Sequence, residues 1–227
     1  IGSNLAIFLL RNGWDVIGVD NDCRSLFFGS AASTVPRLDD VLQHASYKHV
    51  TADVADHAAM RMLVAESLPD LIVHAAAQPS HDTAARIPFL DANVNVIGTL
   101  SMLEALRQAG APLKNTLFVH MSTNKVYGDN PNRVPIVERA ERFDYADGRD
   151  GIDELMSVQG GIHSLFGVSK LAADSYAVEY GKNFGLRTVV LRCGCLTGAG
   201  HASVEAHGFM SYIVKCAIRN MPYQIYG

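Results

Sequence analysis

The chain has 227 residues, of which 48% are hydrophobic and 19% are charged, and its formal net charge is −4. These values are typical of one large globular domain, or of one domain and part of a second. The sequence has no basic block, which argues against nucleic acid or an anionic membrane as a partner. No apolar run reaches the roughly 18 residues that cross a bilayer, and nothing indicates a signal peptide, so we expect a cytoplasmic location.

The four cysteines do not form a metal-binding pattern. They are Cys23, Cys193, Cys195 and Cys216, and their spacing does not match a zinc ribbon. The Cys193-x-Cys195 pair alone is a weak metal signal. We therefore expect buried thiols in a reducing compartment and no metal site.

The N-terminal residues predict the second half of a dinucleotide-binding βαβ unit. Apolar residues recur at helical spacing over 5–10, and Asn12-Gly13 is a stop signal. Residues 16–20 predict a short buried strand that ends in Asp20, and a helix followed by such a strand is typical of this unit. Because the sequence begins inside the pattern, we expect the unit's first strand to lie outside these residues.

Asp20 predicts how an adenosine ribose would be held. A carboxylate here can accept hydrogen bonds from both ribose hydroxyls and would repel a 2′-phosphate, which favours NAD over NADP. Arg24 leaves NADP open, because a nearby arginine could neutralise that phosphate. Asp20 could instead start a turn with Asn21 and Asp22, but its position about 18 residues after Gly2 favours the ribose role.

Further strands and helices are predicted along the rest of the chain. Predicted strands cover 49–54, 71–78, 118–123 and 188–193, with another beginning at 222; predicted helices cover 38–45, 56–68, 91–108, 166–184 and 207–219. Residues 79–82 are interpreted as a loop. The turn-rich stretch 130–161 is too long for a simple connection, so we interpret it as an active-site insertion.

Two polar pairs are expected to face one crevice. Ser122-Thr123 ends the apolar strand that begins at Phe118, and Ser169-Lys170 lies near the start of the long helix that follows the insertion. In a parallel sheet, a hydroxyl at the carboxyl end of a strand and a lysine on a following helix can meet at the same edge.

These residues carry a resemblance that extends over essentially the whole chain. The runs Ser122–Gly128 and His163–Lys170 resemble the extended short-chain dehydrogenase/reductases, the NAD-dependent nucleotide-sugar epimerases and dehydratases, and are most similar to the CDP-paratose 2-epimerase branch. The resemblance implies an α/β fold with a Rossmann-type doubly wound parallel sheet. It implies an NAD-binding domain at 1–193 and the incomplete start of a substrate-binding lobe at 194–227. It also implies a CDP-, UDP- or dTDP-sugar substrate and a homodimer.

The resemblance assigns binding roles to residues along the sheet edge. The implied cofactor-binding residues are Gly2, Asp20, Asn21, Arg24, Asp53, Val54, Ala75, Ala76, Ala77, Gln78, Asn95, Ser122, Lys170 and Cys193. The implied substrate-binding residues are His81, Asp82, Thr123, Asn124, His163, Cys195 and His207. For Asp53, capping of the following helix is an alternative role.

The implied catalytic positions are Thr123, Phe166 and Lys170. In the family a hydroxyl at Thr123 polarises the sugar oxygen, and a tyrosine at position 166 moves the proton while the lysine lowers its pKa. Phe166 cannot ionise. It is an engineered change, or it is native and His163, His81, Tyr127 or Asp82 carries the proton, or the chain binds NAD without full turnover; the resemblance favours a native phenylalanine.

The function that follows is NAD-dependent epimerisation of a nucleotide sugar, at C2 by analogy with the paratose branch. A 4,6-dehydratase is an alternative, although the family's dehydratases carry an acid at the position of Asn124. A non-catalytic NAD-binding regulatory or scaffold protein is a second alternative, because of Phe166.

Overall fold

The computed structural model describes residues 1–198, 200–205 and 207–225. The strands in this part are Val16–Val19 (β1), Tyr47–Val50 (β2), Leu71–His74 (β3), Leu117–Thr123 (β4), Ile136–Glu138 (β5), Phe143–Tyr145 (β6) and Arg187–Cys193 (β7). The α-helices are Gly2–Arg11 (α1), Cys23–Phe28 (α2), Val35–Leu42 (α3), His57–Ser67 (α4), His81–Arg86 (α5), Pro88–Ala92 (α6), Gly98–Ala109 (α7), Leu165–Phe184 (α8) and Phe209–Arg219 (α9).

The strands that position the site are all parallel. β1 pairs with β2, and β4 lies between β3 and β7 in a second sheet. With helices between successive strands, this is the α/β Rossmann-type architecture that the sequence predicted. The carboxyl ends of paired parallel strands lie at one edge, so residues that follow them are brought together.

The core lies between the β3-β4-β7 sheet and the helices that cover it. Phe118 of β4 is fully buried against Met60 of α4 and Leu103 of α7, and Ala177 of α8 joins the same cluster. Burial of a side chain the size of Phe118 or Leu103 contributes about 1.5–3 kcal/mol. This packing fixes the helices relative to the strand ends.

Local capping explains where the two most regular helices begin. Asp56 accepts a hydrogen bond from Ala59 N at the start of α4, and Ser164 accepts one from Gly167 N at the start of α8. Such side chains satisfy backbone N–H groups that the helix leaves without partners. Gly185 ends α8 in the left-handed conformation, at φ 70°.

Several predicted boundaries differ from the structure. The predicted loop at 79–82 is confined to Pro79 and Ser80, because Ser80 accepts from Thr83 N and caps a short helix that begins at His81. The predicted helix at 38–45 lies at Val35–Leu42, and the predicted strand from Pro222 is not a strand over 222–225, while Tyr226 and Gly227 lie outside the described residues.

The insertion at 130–161 contains an antiparallel hairpin, formed by β5 and β6. The predicted helix 91–108 begins earlier, at Pro88, and passes through a π-helical turn at Asn93–Ile97. No helix in the described part of the chain has both the length and the apolar character needed to cross a membrane.

Candidate active site

Several of the predicted binding residues follow the carboxyl ends of the parallel strands. Asp20 follows β1, and its N–H continues the ladder to Val50 O of β2 at 3.3 Å. Thr123 of β4 lies in register with Cys193, the last residue of β7. Open α/β sheets bind their ligands at this edge.

Asp20 is exposed and held by its own loop. Its Oδ1 accepts from Asp22 N at 2.7 Å and from Thr34 Oγ1 at 3.1 Å. Asn21 Oδ1 accepts from Cys23 N at 3.1 Å, which starts α2. The turn that the sequence offered as an alternative is thus present, and it orients a carboxylate that stays accessible to a ligand.

Asp53 and Val54 follow β2. Asp53 Oδ1 accepts from Ala55 N at 2.8 Å, and the helix cap is supplied by Asp56 instead. Val54 packs so closely against α7 that any side chain at Gly98 would collide with it. The backbone after β2 is therefore held against the core.

A buried polar network fixes the turn after β3. Asn95 Oδ1 accepts from Gln78 N at 2.9 Å, and Gln78 Nε2 donates to Asp91 Oδ1 at 2.7 Å and to Ser80 O at 2.8 Å. Asn95 Nδ2 also donates to Asp91 Oδ1 and to Ser169 Oγ, both at 3.0 Å. The network ties β3, α6 and α8 together.

This network uses the side chains of Gln78 and Asn95 internally. Both residues are at most 1% exposed, so their side chains are not free to contact a cofactor. Their hydrogen bonds instead help to position the backbone of Ala75–Ala77, where small side chains permit close approach. The sequence did not reveal Asp91 as a member, although it is only 2% exposed. In the sequence, Asp91 was marked only by its position four residues before Asn95, a spacing that places both side chains on one face of a helix.

Lys170 lies inside the protein behind the edge of β4. It is 3% exposed, and its Nζ donates to Met121 O at 2.7 Å and lies 3.4 Å from His120 Nε2. Burial lowers the pKa of Lys170 to about 8, while Asp174, Asp91 and Cys193 oppose the fall.

Two buried histidines line the wall next to Lys170. The rings of His74 and His120 stack with centroids 5.7 Å apart. Burial lowers the pKa of His74 to about 3 and that of His120 to about 2, with Lys170 adding to both effects. Both rings are therefore neutral at pH 7. The sequence did not identify His120, because a histidine within an apolar strand carries no pattern of its own.

The hydrogen-bond partners of His74 and His120 indicate which nitrogen of each ring carries the proton. Thr99 Oγ1 donates to Asn95 O at 2.7 Å, so it accepts from His74 Nε2 at 3.1 Å. Lys170 donates towards His120 Nε2, which leaves the proton of that ring on Nδ1, a buried atom without a partner in the described structure.

Ser122 belongs to an ion-pair network below the site. Its Oγ donates to Asp174 Oδ2 at 2.7 Å, and Arg192 binds the same carboxylate through two nitrogens at 2.9 and 3.0 Å. Arg192 also donates to Tyr127 OH at 3.2 Å and lies over the Tyr127 ring. The Tyr127 oxygen is thus occupied and buried.

Thr123 is half-buried at the end of β4. Its Oγ1 accepts from Lys125 N at 3.3 Å and lies 3.4 Å from Oδ1 of the exposed Asn124. The short 3-10 turn that follows, Asn124–Tyr127, packs on the first turn of α8, where Lys125 O limits the space at Gly167. Thr123 is therefore near the N-terminus of the helix that carries Phe166 and Lys170.

Phe166 lies one turn before Lys170 and is 7% exposed. The ring of His81 meets it edge to face, with centroids 5.1 Å apart. His81 is exposed, and its Nδ1 lies 2.7 Å from Ser164 Oγ. Asp82, the next residue of α5, is exposed.

His163 faces two carbonyl groups. Its Nε2 lies 2.9 Å from Val126 O and its Nδ1 lies 3.2 Å from Gly161 O. Gly128, at φ 60°, leaves room for this ring where any side chain would collide with it. His163 therefore braces the turn after β4.

The segment after β7 passes beside the Asp20 loop. Arg24 Nη2 donates to Ala202 O at 2.9 Å and lies 3.4 Å from His207 Nδ1. His207 stacks on Phe28, and burial together with Arg24 lowers its pKa to about 4. The structure thus brings His207 to Arg24, while Cys195 is exposed. Within residues 1–198, 200–205 and 207–225, no cluster of three or more metal-ligating side chains occurs.

The sequence matches the NAD dependent epimerase/dehydratase family over residues 1–227. It is 33% identical over 232 residues to CDP-paratose 2-epimerase from Salmonella typhi, covering 100% of this chain and 65% of that protein. It is 26% identical over 239 residues to dTDP-glucose 4,6-dehydratase from Salmonella typhimurium, covering 100% of this chain and 59% of that protein.

Among solved structures, UDP-glucose 4-epimerase from Thermus thermophilus in complex with NAD superposes with a TM-score of 0.73 at 26% sequence identity. That match covers 100% of this chain and 62% of the Thermus chain. The chain thus spans less than two thirds of the length of these relatives. On the whole-length match, the chain belongs to the NAD-dependent epimerase/dehydratase family, whose cofactor is NAD.

Proposed function

We propose that the protein is an NAD-dependent nucleotide-sugar epimerase that inverts C2 of its sugar. The observation that carries the proposal is the convergence of Thr123, Phe166 and the buried Lys170 around the end of β4. The choice of C2 rests on the similarity to CDP-paratose 2-epimerase from Salmonella typhi. The nucleotide is a CDP-, UDP- or dTDP-group.

The donor set of the edge fits NAD. The exposed Asp20 carboxylate suits the adenosine ribose hydroxyls, and Asp53 suits the adenine amino group. Ala75–Ala77 leave the backbone open to close approach, and Lys170, whose Nζ donates to Met121 O of β4, can reach a ribose hydroxyl from within the wall. Gly2 begins α1, and a helix N-terminus suits a phosphate.

Bound NAD supplies the acceptor that takes a hydride from the sugar carbon and returns it. Thr123 Oγ1 polarises the sugar oxygen, and Lys170 places a positive charge behind the same region, which stabilises negative charge developing on that oxygen. The two histidines behind Lys170 are buried, and their lowered pKa values keep both rings neutral at pH 7, so they add no further charge to the wall. Electrostatic effects are stronger in such a low-dielectric setting.

Two alternatives remain testable. A 4,6-dehydratase is supported by the relative from Salmonella typhimurium, but Asn124 stands at the end of β4 where an acid would be needed to protonate the leaving hydroxyl. A non-catalytic NAD-binding regulatory or scaffold protein is supported by Phe166, which cannot exchange a proton.

The experiment is incubation of the full-length protein with CDP-, UDP- and dTDP-sugars in deuterated water, followed by NMR. Epimerisation predicts an inverted sugar with no solvent deuterium at the inverted carbon. Loss of the C6 hydroxyl would instead identify a dehydratase. Bound NAD without change in any sugar would favour the non-catalytic alternative.

We also propose domain boundaries, an oligomeric state and a cellular location for the protein. We assign residues 1–193 to the NAD-binding domain and 194–227 to the start of the substrate-binding lobe. A homodimer is supported by apolar side chains that α6 and α8 expose, such as Phe89 at 92% and Val168 at 51%; analytical ultracentrifugation of the full-length protein tests it. The free thiols of the described residues fit a reducing cytoplasm.

A further inference from the structure

We propose that His81 is the group that accepts and returns the sugar hydroxyl proton, in place of the ionisable side chain that Phe166 lacks. This inference rests on the proposed function. His81 lies on α5 and Phe166 lies on α8, so the proposed role depends on a contact between these two helices.

The geometry places the His81 imidazole where a proton acceptor is needed. Its ring meets the Phe166 ring edge to face with centroids 5.1 Å apart, and Phe166 lies one helical turn from Lys170. His81 is exposed, while Phe166 is 7% exposed. The imidazole therefore lies on the solvent-facing side of the phenylalanine rather than in the core.

Ser164 fixes the orientation of the imidazole. Ser164 Oγ accepts from Gly167 N at 3.0 Å as the cap of α8 and lies 2.7 Å from His81 Nδ1. We assign the Nδ1 proton to the hydrogen bond with Ser164 Oγ, so that Nε2 presents its lone pair as a base. The second ring nitrogen is thus directed by the same serine that starts the catalytic helix.

The other local groups are committed elsewhere. Both nitrogens of His163 face backbone carbonyl groups, so this ring has no lone pair available for a substrate. Tyr127 is 5% exposed, and its oxygen accepts from Arg192. Asp82 has an exposed carboxylate on α5, but the ring that meets Phe166 is that of His81.

The proton balance is complete with the imidazole as the base. With NAD present, the sugar O–H bond would break and its proton would move to His81 Nε2, while the electron pair of that bond would form the carbonyl and the cofactor would take the hydride from the carbon. On the return, the hydride would re-form the C–H bond on the opposite face, and Nε2–H would give the proton back to the oxygen. His81 ends neutral, and no further reactant is needed.

The charges around His81 suit this role. Partial burial and Lys125 lower its pKa, while Asp82 of α5 and Asp91 of α6 oppose that fall. His207, from the segment after β7, also lies close enough to interact with it. A neutral imidazole is the form that can accept a proton, and a base poised near working pH contributes about 10²–10⁴-fold in rate.

The test compares His81→Gln, Phe166→Tyr and the double variant with His57→Gln, a control at an exposed histidine that begins α4. We expect His81→Gln to lower the rate of C2 inversion by about 10²–10⁴-fold, with NAD affinity by calorimetry unchanged. Phe166→Tyr restores the rate in the His81→Gln background and moves the pH dependence to that of a phenol. His57→Gln behaves as wild type.

A second readout does not depend on turnover. The His81 imidazole resonance, assigned by its loss in His81→Gln, should shift its titration when the nucleotide sugar binds to the NAD-loaded protein. An active protein whose His81→Gln variant keeps its rate, or whose His81 titration is indifferent to the sugar, overturns the assignment. A wild type that inverts no sugar contradicts the proposed function itself, and with it the role of His81.

Discussion

The Nζ atom of Lys170 donates a hydrogen bond to Met121 O at 2.7 Å from a side chain that is 3% exposed. An ammonium group in this position has lost most of its water, and its negative neighbours offset only part of that loss. A cofactor hydroxyl that reaches Nζ would supply an acceptor that the protein alone does not provide. We therefore expect Lys170 to contribute more to ligand binding than to the stability of the fold.

Replacement of this lysine separates binding from folding. We expect Lys170→Met to weaken NAD binding by about 10–100-fold, because a hydrogen bond from a charged group contributes about 1.5–3 kcal/mol. Stability to urea should stay equal or rise, because a buried charge is removed. Isothermal titration calorimetry measures the first effect. Lys182→Met, on the exposed face of the same helix, is the control and should bind NAD as wild type does.

The buried histidines predict a specific acid sensitivity. The pKa of His120 is lowered to about 2 in the folded protein, against about 6.5 when unfolded. Below pH 6.5 the histidine takes up a proton in the unfolded chain but not in the folded protein. The free energy of unfolding is therefore unaffected by this group well above pH 6.5 and falls progressively as the pH falls below it. Between pH 6.5 and pH 5 the loss is about 2 kcal/mol for each such histidine.

His120→Phe tests that sensitivity. We expect the variant to lose about 2 kcal/mol less stability than wild type between pH 6.5 and pH 5, measured by urea unfolding at both values. His57→Gln, which changes an exposed histidine, should follow wild type. Equal acid sensitivity of His120→Phe and wild type would show that His120 is protonated in the folded protein.

The ion pair below the site predicts a large cost when it is broken. Asp174 is 1% exposed and holds both Arg192 and Ser122. Asp174→Asn should cost about 3–5 kcal/mol of unfolding free energy, because it leaves a largely buried guanidinium without its charge partner. Asp147→Asn, which breaks an exposed pair with Arg149, should cost at most about 1 kcal/mol. Similar costs for the two variants would refute the assigned importance of burial.

Asp20 predicts the choice between the two nicotinamide dinucleotides. We expect Asp20→Ser to weaken NAD binding and to strengthen NADP binding, because the carboxylate that repels a 2′-phosphate is gone while Arg24, four residues further along the chain, remains. The ratio of the two dissociation constants measures the effect. Asp15→Ser, at an exposed acid before β1, should leave the ratio unchanged, and an unchanged ratio in Asp20→Ser would place the ribose elsewhere.

Periodicity predicted most elements that face the core. The helix that ends at Asn12-Gly13, the strands that begin near Val16 and Leu71, and the helix after Asp56 all have apolar patterns that tertiary packing reinforces. The predicted ends of helices and strands were wrong where a polar capping residue determines the position at which the element begins. Pro79 suggested a loop, but Ser80 behind it caps a helix, and a single serine gives a weaker signal than a proline.

The sequence predicted the positions of Asp20 and Thr123 at strand ends and of Lys170 on α8, and the structure has them there, while their binding and catalytic roles stay predictions. The geometry was predicted least well where distant residues combine. Asp91 and Asp174 are each buried acids whose partners come from other elements, and no local pattern marks them. The contact between His81 and Phe166 joins residues 85 positions apart in sequence, so the sequence could name His81 among several bases but could not select it.

In the proposed reaction a hydride leaves C2 of the sugar and returns to it within one crevice. A nucleotide sugar that carries deuterium at C2, incubated with the full-length NAD-loaded protein in ordinary water, tests this. We expect an inverted product that keeps the deuterium at C2, seen by proton NMR. Inversion with loss of the label to water would contradict it, because it would mean that the carbon gives up a proton and not a hydride.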